Sequence, residues 1–221
     1  MDRTSTGNHV LCSRVLTASM RPKRITEELS AAGPEMCIKT AGRARPRRLP
    51  HHRAVTTPPI ERIAPGPGQE SVWDYPRPPR VEPVRERIRI VVDGVEIADS
   101  RGAMRVLETA GAPVYYIPPR DIRMDLMRTT TYQTFCEWKG AATYHALTLP
   151  SREIPDIAWS YPDPNPGYEE IRDHLAFYAW KVDEAWVGDE LATPQPGHFY
   201  GGWVTSRVVG PFKGGPGTAG W

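Results

Sequence analysis

Apolar and polar residues alternate most cleanly in "ERIRIVVDGVEIADS", residues 86–100. Ile88, Ile90 and Val92 recur with the period of a half-buried strand. Asp93-Gly94 supplies the positive φ angles of a tight hairpin turn, and Val95 and Ile97 continue the return strand. "APVYYI" (112–117) is β-branched and aromatic and is closed by Pro118-Pro119, so it predicts another strand. The alternation in "IRMDLM" (122–127), "TYHALTL" (143–149) and "DIAWSY" (156–161) predicts three more. "AFYAW" (176–180) and "EAWV" (184–187) complete the set. "AMRVLE" (103–108) is ambiguous, because its residues favour helix while Gly102 and Gly111 leave room for little more than two turns. One short helix is predicted after Asn165 as cap, with Pro166 at its first position and Glu169 and Glu170 near its positive end. Tyr168, Ile171 and Leu175 would then share a face. The class is mainly β, with about one short helix and long Pro/Gly-rich arms.

Composition divides the chain near residue 70. All 20 aromatic residues follow that point. Residues 1–69 carry twelve Lys and Arg against five Asp and Glu, a balance of +7, and the rest of the chain carries −5. A segment without aromatics and with one dominant charge buries too little apolar surface to offset its ordering entropy. Residues 1–69 are therefore expected to be a disordered basic extension. Residues 70–84, with Pro76, Pro78, Pro79 and Pro83, read as an extended arm pinned to the domain by Trp73 and Tyr75. The domain proper spans 85–188, and 189–221 is a Pro/Gly-rich C-terminal arm, whose last run, "GPFKGGPGTAG" (210–220), is expected to be a flexible tail.

These observations exclude several function classes. No apolar run approaches the roughly 18 residues of a membrane span, and "NHVLCSRVLTAS" is too interrupted for a signal peptide. Cys12, Cys37 and Cys136 form no C-x-x-C pair, so neither a disulfide framework nor a zinc knuckle follows, and a cytoplasmic setting is expected. "GPGTAG" satisfies the dinucleotide-binding spacing, but only Trp221 follows it and no helix can open there. His145, His174 and His198 have no metal-ligand spacing. No metal and no cofactor is expected. The basic run "GRARPRRLPHHR" (42–53) lacks interleaved aromatics and points only weakly to nucleic acid.

The densest chemistry lies in "FCEWKGAATYHAL" (135–147). Glu137 beside Cys136 opposes a reactive thiolate, and no base lies nearby. Lys139-Gly140 reads as a turn, and a lysine fixed between aromatics can hold an anion as a point charge. Lys139, with Arg123 or Arg105, would contact an anionic or nucleotide-like group, and Trp138, Tyr144, Trp159 and Tyr161 would form walls. An enzyme is the alternative, with Glu108 or Asp163 as acid, base or metal ligand converging on Lys139. A third reading is an interaction module whose proline arms bind partners or a second copy of the chain, with an exposed apolar patch and no pocket.

"MRVLETAGAPVYYIPPRDIRMDLM" (104–127), "FCEWKGAATYHAL", "AWSYPDP" (158–164) and "HLAFYAWKVDEAWV" (174–187) together resemble the domain-of-unknown-function 427 family. The likeness covers about residues 70–221, and its flanks resemble the extended form common in high-GC bacteria. It implies a single domain of β-tent, Mss4-like architecture. Many β-tent proteins hold zinc between two C-x-x-C pairs, which this sequence lacks. A nucleotidyltransferase-like label also accompanies the family, but no Gly-Ser with paired Asp and no phosphate loop stands behind it here.

Overall fold

The hairpin signal at Asp93-Gly94 is realised directly. In the computed structural model, which describes residues 60–218, 220 and 221, Asp93 and Gly94 take φ of 50° and 72°. They join β3 (Ile88–Val92) to β4 (Val95–Ser100). β11 (Glu184–Val187) pairs with β3, and β12 (Glu190–Leu191) with β11, which makes a four-stranded antiparallel sheet.

A larger antiparallel sheet of seven strands carries the rest. Its strands are β2 (Arg80–Pro83), β5 (Met104–Leu107), β6 (Val114–Ile117), β7 (Met127–Cys136), β8 (Gly140–Thr148), β9 (Glu153–Ser160) and β10 (Leu175–Phe177). Their spatial order is β2-β5-β6-β10-β9-β8-β7. Strand period 2 sends alternate residues to its two faces. Tyr115, Ile117, Leu147, Ile157, Leu175 and Phe177 meet Ile88, Ile90, Val92 and Ile97 of the smaller sheet in the main core. Tyr116, Tyr144, Trp159 and Ala176 face the other way and join Tyr161, Tyr168 and Ile171 in a second, tyrosine-rich cluster.

The arms enter this body. β1 (Glu70–Ser71) pairs in parallel with β15 (Val208–Val209), and β13 (Thr193–Pro194) pairs with β14 (Trp203–Val204). Trp203 is fully buried in the main core. Trp73 and Trp221 meet edge to face at 5.4 Å, and Arg77 donates to the Trp221 carbonyl. The C-terminal arm is thus anchored to the body at Trp203, Val208, Lys213 and Trp221, so its last run is not the free tail that its Pro/Gly content suggests. Of residues 1–69, expected to be disordered, 1–59 lie outside the described residues, while in 60–69 the Ile63 N–H donates to the Gly210 carbonyl and Arg62 lies over the Trp73 ring.

Two local expectations are corrected and one ambiguity is resolved. The helix after Asn165 is replaced by a 3-10 turn, Glu169–Ile171, and Leu175 opens β10. Gly167 at φ 92° and Asp173 at φ 60° break the helical path on both sides. Among the described residues all helical segments are such three-residue turns. "IRMDLM" holds one isolated bridge, from Ile122 to Ala98, before a 3-10 turn at Met124–Leu126, because Arg123 leaves the extended region at ψ 70°. The ambiguous 103–108 segment is a strand, drawn in by pairing with β2 and β6 on both sides. β7 was not anticipated. It is an edge strand, exposed along most of its length, and so shows no apolar alternation.

His145 sits buried on β8, with Nε2 2.9 Å from Ser160 Oγ. Burial lowers its pKa from the ordinary 6.5. The neutral ring therefore stabilises the fold fully above about pH 6.5, and this contribution is lost as pH falls below that value. His145→Gln should flatten the fall in urea midpoint between about pH 7.5 and about pH 5.5. An identical slope in the two proteins would exclude His145 as its source.

Candidate functional site

The turn between β7 and β8 is fixed from outside. Gly140 takes φ 95°, a conformation natural to glycine. Asn165 donates its side-chain amide to the Trp138 carbonyl at 3.0 Å, and its backbone N–H donates to the Lys139 carbonyl at 3.1 Å. The loop "PDPNP" therefore clamps the backbone that carries Lys139. Asn165, read from sequence as a helix cap, caps this hairpin instead.

Lys139 is only 8% exposed. Its Nζ lies 5.8 Å from the centre of the Tyr161 ring, within cation–π range. It has neither a carboxylate nor a hydrogen-bond acceptor among the described residues. Every fully enclosed side-chain nitrogen or oxygen among them has a partner, so the lone ammonium retains accessible surface. It borders a small cavity of about 40 Å³, also lined by Glu108, Tyr116, Gln195, Tyr200 and Lys213. That volume holds a few waters or one small oxyanion.

The far side of this cavity comes from the C-terminal arm. Lys213 is buried, pairs with Glu108, and lies 4.7 Å from the Tyr200 ring centre. Gln195 holds the arm in place: its side-chain oxygen accepts from Ala112 N–H, and its amide donates to the Lys213 carbonyl. Two buried lysines thus face one lining carboxylate. Arg77 reaches Glu108 as well, at 3.7 Å. A charged group taken out of water is costly unless a counter-charge meets it.

Tyr144, Trp159 and Tyr161 are buried behind this cavity, with Trp138 half-buried against them. Trp159 donates its indole N–H to the Tyr116 hydroxyl at 3.3 Å, and Cys136 packs against the same cluster. Burial pushes the Tyr116 and Tyr161 phenols up from 10, so both remain protonated donors. The aromatic rings bordering the cavity itself are Tyr116 and Tyr200, neither of which stood out in the sequence. Lys213 and Gln195 were missed because they lie in an arm of low apparent information. The glycine pair beside aromatics in "FYGGW" was the available signal that this arm packs closely.

The remaining candidates lie elsewhere. Arg123 is exposed and paired with Asp125. Arg105 faces a different concavity, where it pairs with Glu70 and Glu82. Of the two carboxylates proposed to converge on Lys139, Glu108 shares its cavity. Asp163 has a side chain 98% exposed and pairs with Arg172. Among the described residues no group of three or more His, Cys, Asp or Glu could hold a metal ion, and no helix is long and apolar enough to cross a membrane.

No curated protein matches the chain. Residues 80–188 match the family model described as "Domain of unknown function (DUF427)". This segment contains β2 through β11 and Lys139 itself, and through it the chain belongs to that family.

Proposed function

We propose that this β domain binds a small anion, or the anionic end of a larger ligand, at Lys139. The single observation behind the reading is a buried lysine, on the edge of a cavity, whose ammonium pairs with no carboxylate among the described residues. Lys213 adds a second positive charge, already shared with Glu108. The protonated Tyr116 hydroxyl is a further potential donor. The volume suits a carboxylate or a single oxyanion and not a whole nucleotide. Two sheets of seven and four strands on one core are in keeping with the β-tent architecture that the family resemblance implies. Zinc plays no part in this reading.

Thermal unfolding of the full chain in inorganic phosphate, against chloride at equal ionic strength, tests the site. A ligand at about 100 times its Kd stabilises by about 2.7 kcal/mol. For a protein of this size that raises the midpoint by about 5–10 °C. Phosphate also stabilises proteins by exclusion from their surfaces, so the readout is the difference from Lys139→Met. The variant should lose the saturable part of the shift. Equal shifts in both proteins would refute the site.

A further inference from the structure

A second concavity, of about 460 Å³, lies where the N-terminal arm, β2, β5 and the C-terminal arm converge. This is within the usual range for small-molecule sites. Its floor is Tyr115, whose ring rests on buried Trp203 at 5.2 Å. Tyr115 is 4% exposed, and its hydroxyl has no hydrogen-bond partner among the described residues. Thr205, 7% exposed and also in the lining, has an equally unpartnered hydroxyl. Among the described residues, fully enclosed side-chain oxygens all have partners, so both hydroxyls retain accessible surface. Burial holds the Tyr115 phenol near pKa 12, so it remains a donor.

The charged groups around this floor divide into engaged and free. Glu70 accepts from Arg105 at 3.0 Å and from the Tyr75 hydroxyl. Glu82 pairs with Arg105 and Arg80, and Glu86 with Arg207. Arg85, on the rim, has no carboxylate partner among the described residues. The free groups are therefore donors: one guanidinium and two hydroxyls. Each carboxylate has lone pairs to spare beyond those its partners take, and these can accept from ligand hydroxyls.

We propose that this concavity is a second binding site, for a compact hydroxylated acid whose anionic group meets Arg85 and whose body lies on Tyr115. The anionic group is a carboxylate or a phosphate, both of which suit a guanidinium. The site is independent of Lys139. It is also completed by residues outside the family-matched segment, namely Glu70, Thr205, Arg207 and Val208.

Calorimetric titration of the full chain with gluconate, glucose 6-phosphate and glucose tests the proposal. The three probes share a six-carbon body and differ in charge. Saturable binding of one or both acids, with none of glucose, is expected, and the stronger acid names the anionic group. Arg85→Gln, a change at an exposed side chain, should weaken binding about tenfold or more. Tyr115→Phe removes one hydroxyl and should weaken it several-fold, while Arg123→Gln, at an exposed residue that lines neither cavity, should leave it unchanged. Absence of saturable binding, equal binding of glucose, or affinity unmoved by Arg85→Gln would each overturn the proposal.

Discussion

Trp203→Ala is expected to destabilise the protein by about 3–5 kcal/mol, the range for removing a buried aromatic side chain. Trp203 lies outside the family-matched segment, yet it is fully buried in the core between the two main sheets. Its indole N–H donates to the Phe177 carbonyl at 2.9 Å, and its backbone N–H donates to the Pro113 carbonyl. Truncation opens a cavity and leaves the Phe177 carbonyl without its donor, so transfer, cavity and hydrogen-bond losses act together. At about 2–4 °C per kcal/mol the thermal midpoint falls by about 6–20 °C. Trp203→Phe separates the contributions, since it keeps a ring in the core and removes only the donor and part of the volume. It should cost about 1–3 kcal/mol. A midpoint unchanged in Trp203→Ala would mean that the C-terminal arm is not part of the core. The variant also removes the support beneath Tyr115, so it should disturb the Arg85 concavity while Lys139 stays in place.

What could be read from the chain follows the range of each interaction. The Asp93-Gly94 hairpin was legible because turn and strands lie within thirteen residues, Ile88–Ser100. The mainly β class was legible for the same reason, repeated over several short segments. Lys139 stood out through its immediate neighbours, Trp138 and Gly140, and it does sit in a turn. Its surroundings were not legible. Asn165 is 26 residues away and carries every local mark of a helix cap, but the hairpin turn takes its amide. Leu175 fits the face of a helix by spacing, yet strand pairing with Ile117 decides its conformation. Lys213, Gln195 and Tyr115 gain their meaning where distant segments meet, and no local pattern encodes that meeting. Tyr144, Trp159 and Tyr161 illustrate the converse. Their aromatic density suggested an open cage, while the arms and the 162–174 loop bury them. The two concavities share one property: each is closed by arm residues outside the family-matched segment. The arms would then complete both sites, and the family-matched segment would supply the groups that meet the anion, Lys139 and Arg85.

Gly201→Ala tests that dependence of site on arm. Gly201 lies against the benzo edge of Trp159. A methyl group at 201 would overlap Trp159 Cη2 and stand 2.7 Å from Cζ3. The ring has little freedom to yield. It is buried, donates to the Tyr116 hydroxyl, and lies 4.5 Å from the Tyr178 ring centre on another side. The requirement at 201 is space, since its φ lies outside the left-handed region. Replacing glycine by alanine ordinarily stabilises by about 0.4–1 kcal/mol through the unfolded chain. Overpacking a filled core costs about 1–3 kcal/mol or more, so destabilisation wins. The urea midpoint should fall accordingly. Displacing Trp159 also loosens Tyr116, which borders the Lys139 cavity. The phosphate-dependent thermal shift should therefore shrink in Gly201→Ala although no group facing the anion has been removed. A lower midpoint with the full phosphate shift retained would separate the two effects and place the anion-binding geometry in Lys139 and its turn alone. An unchanged midpoint would instead show that the arm yields at 201, and that its contact with Trp159 does not hold the cavity closed.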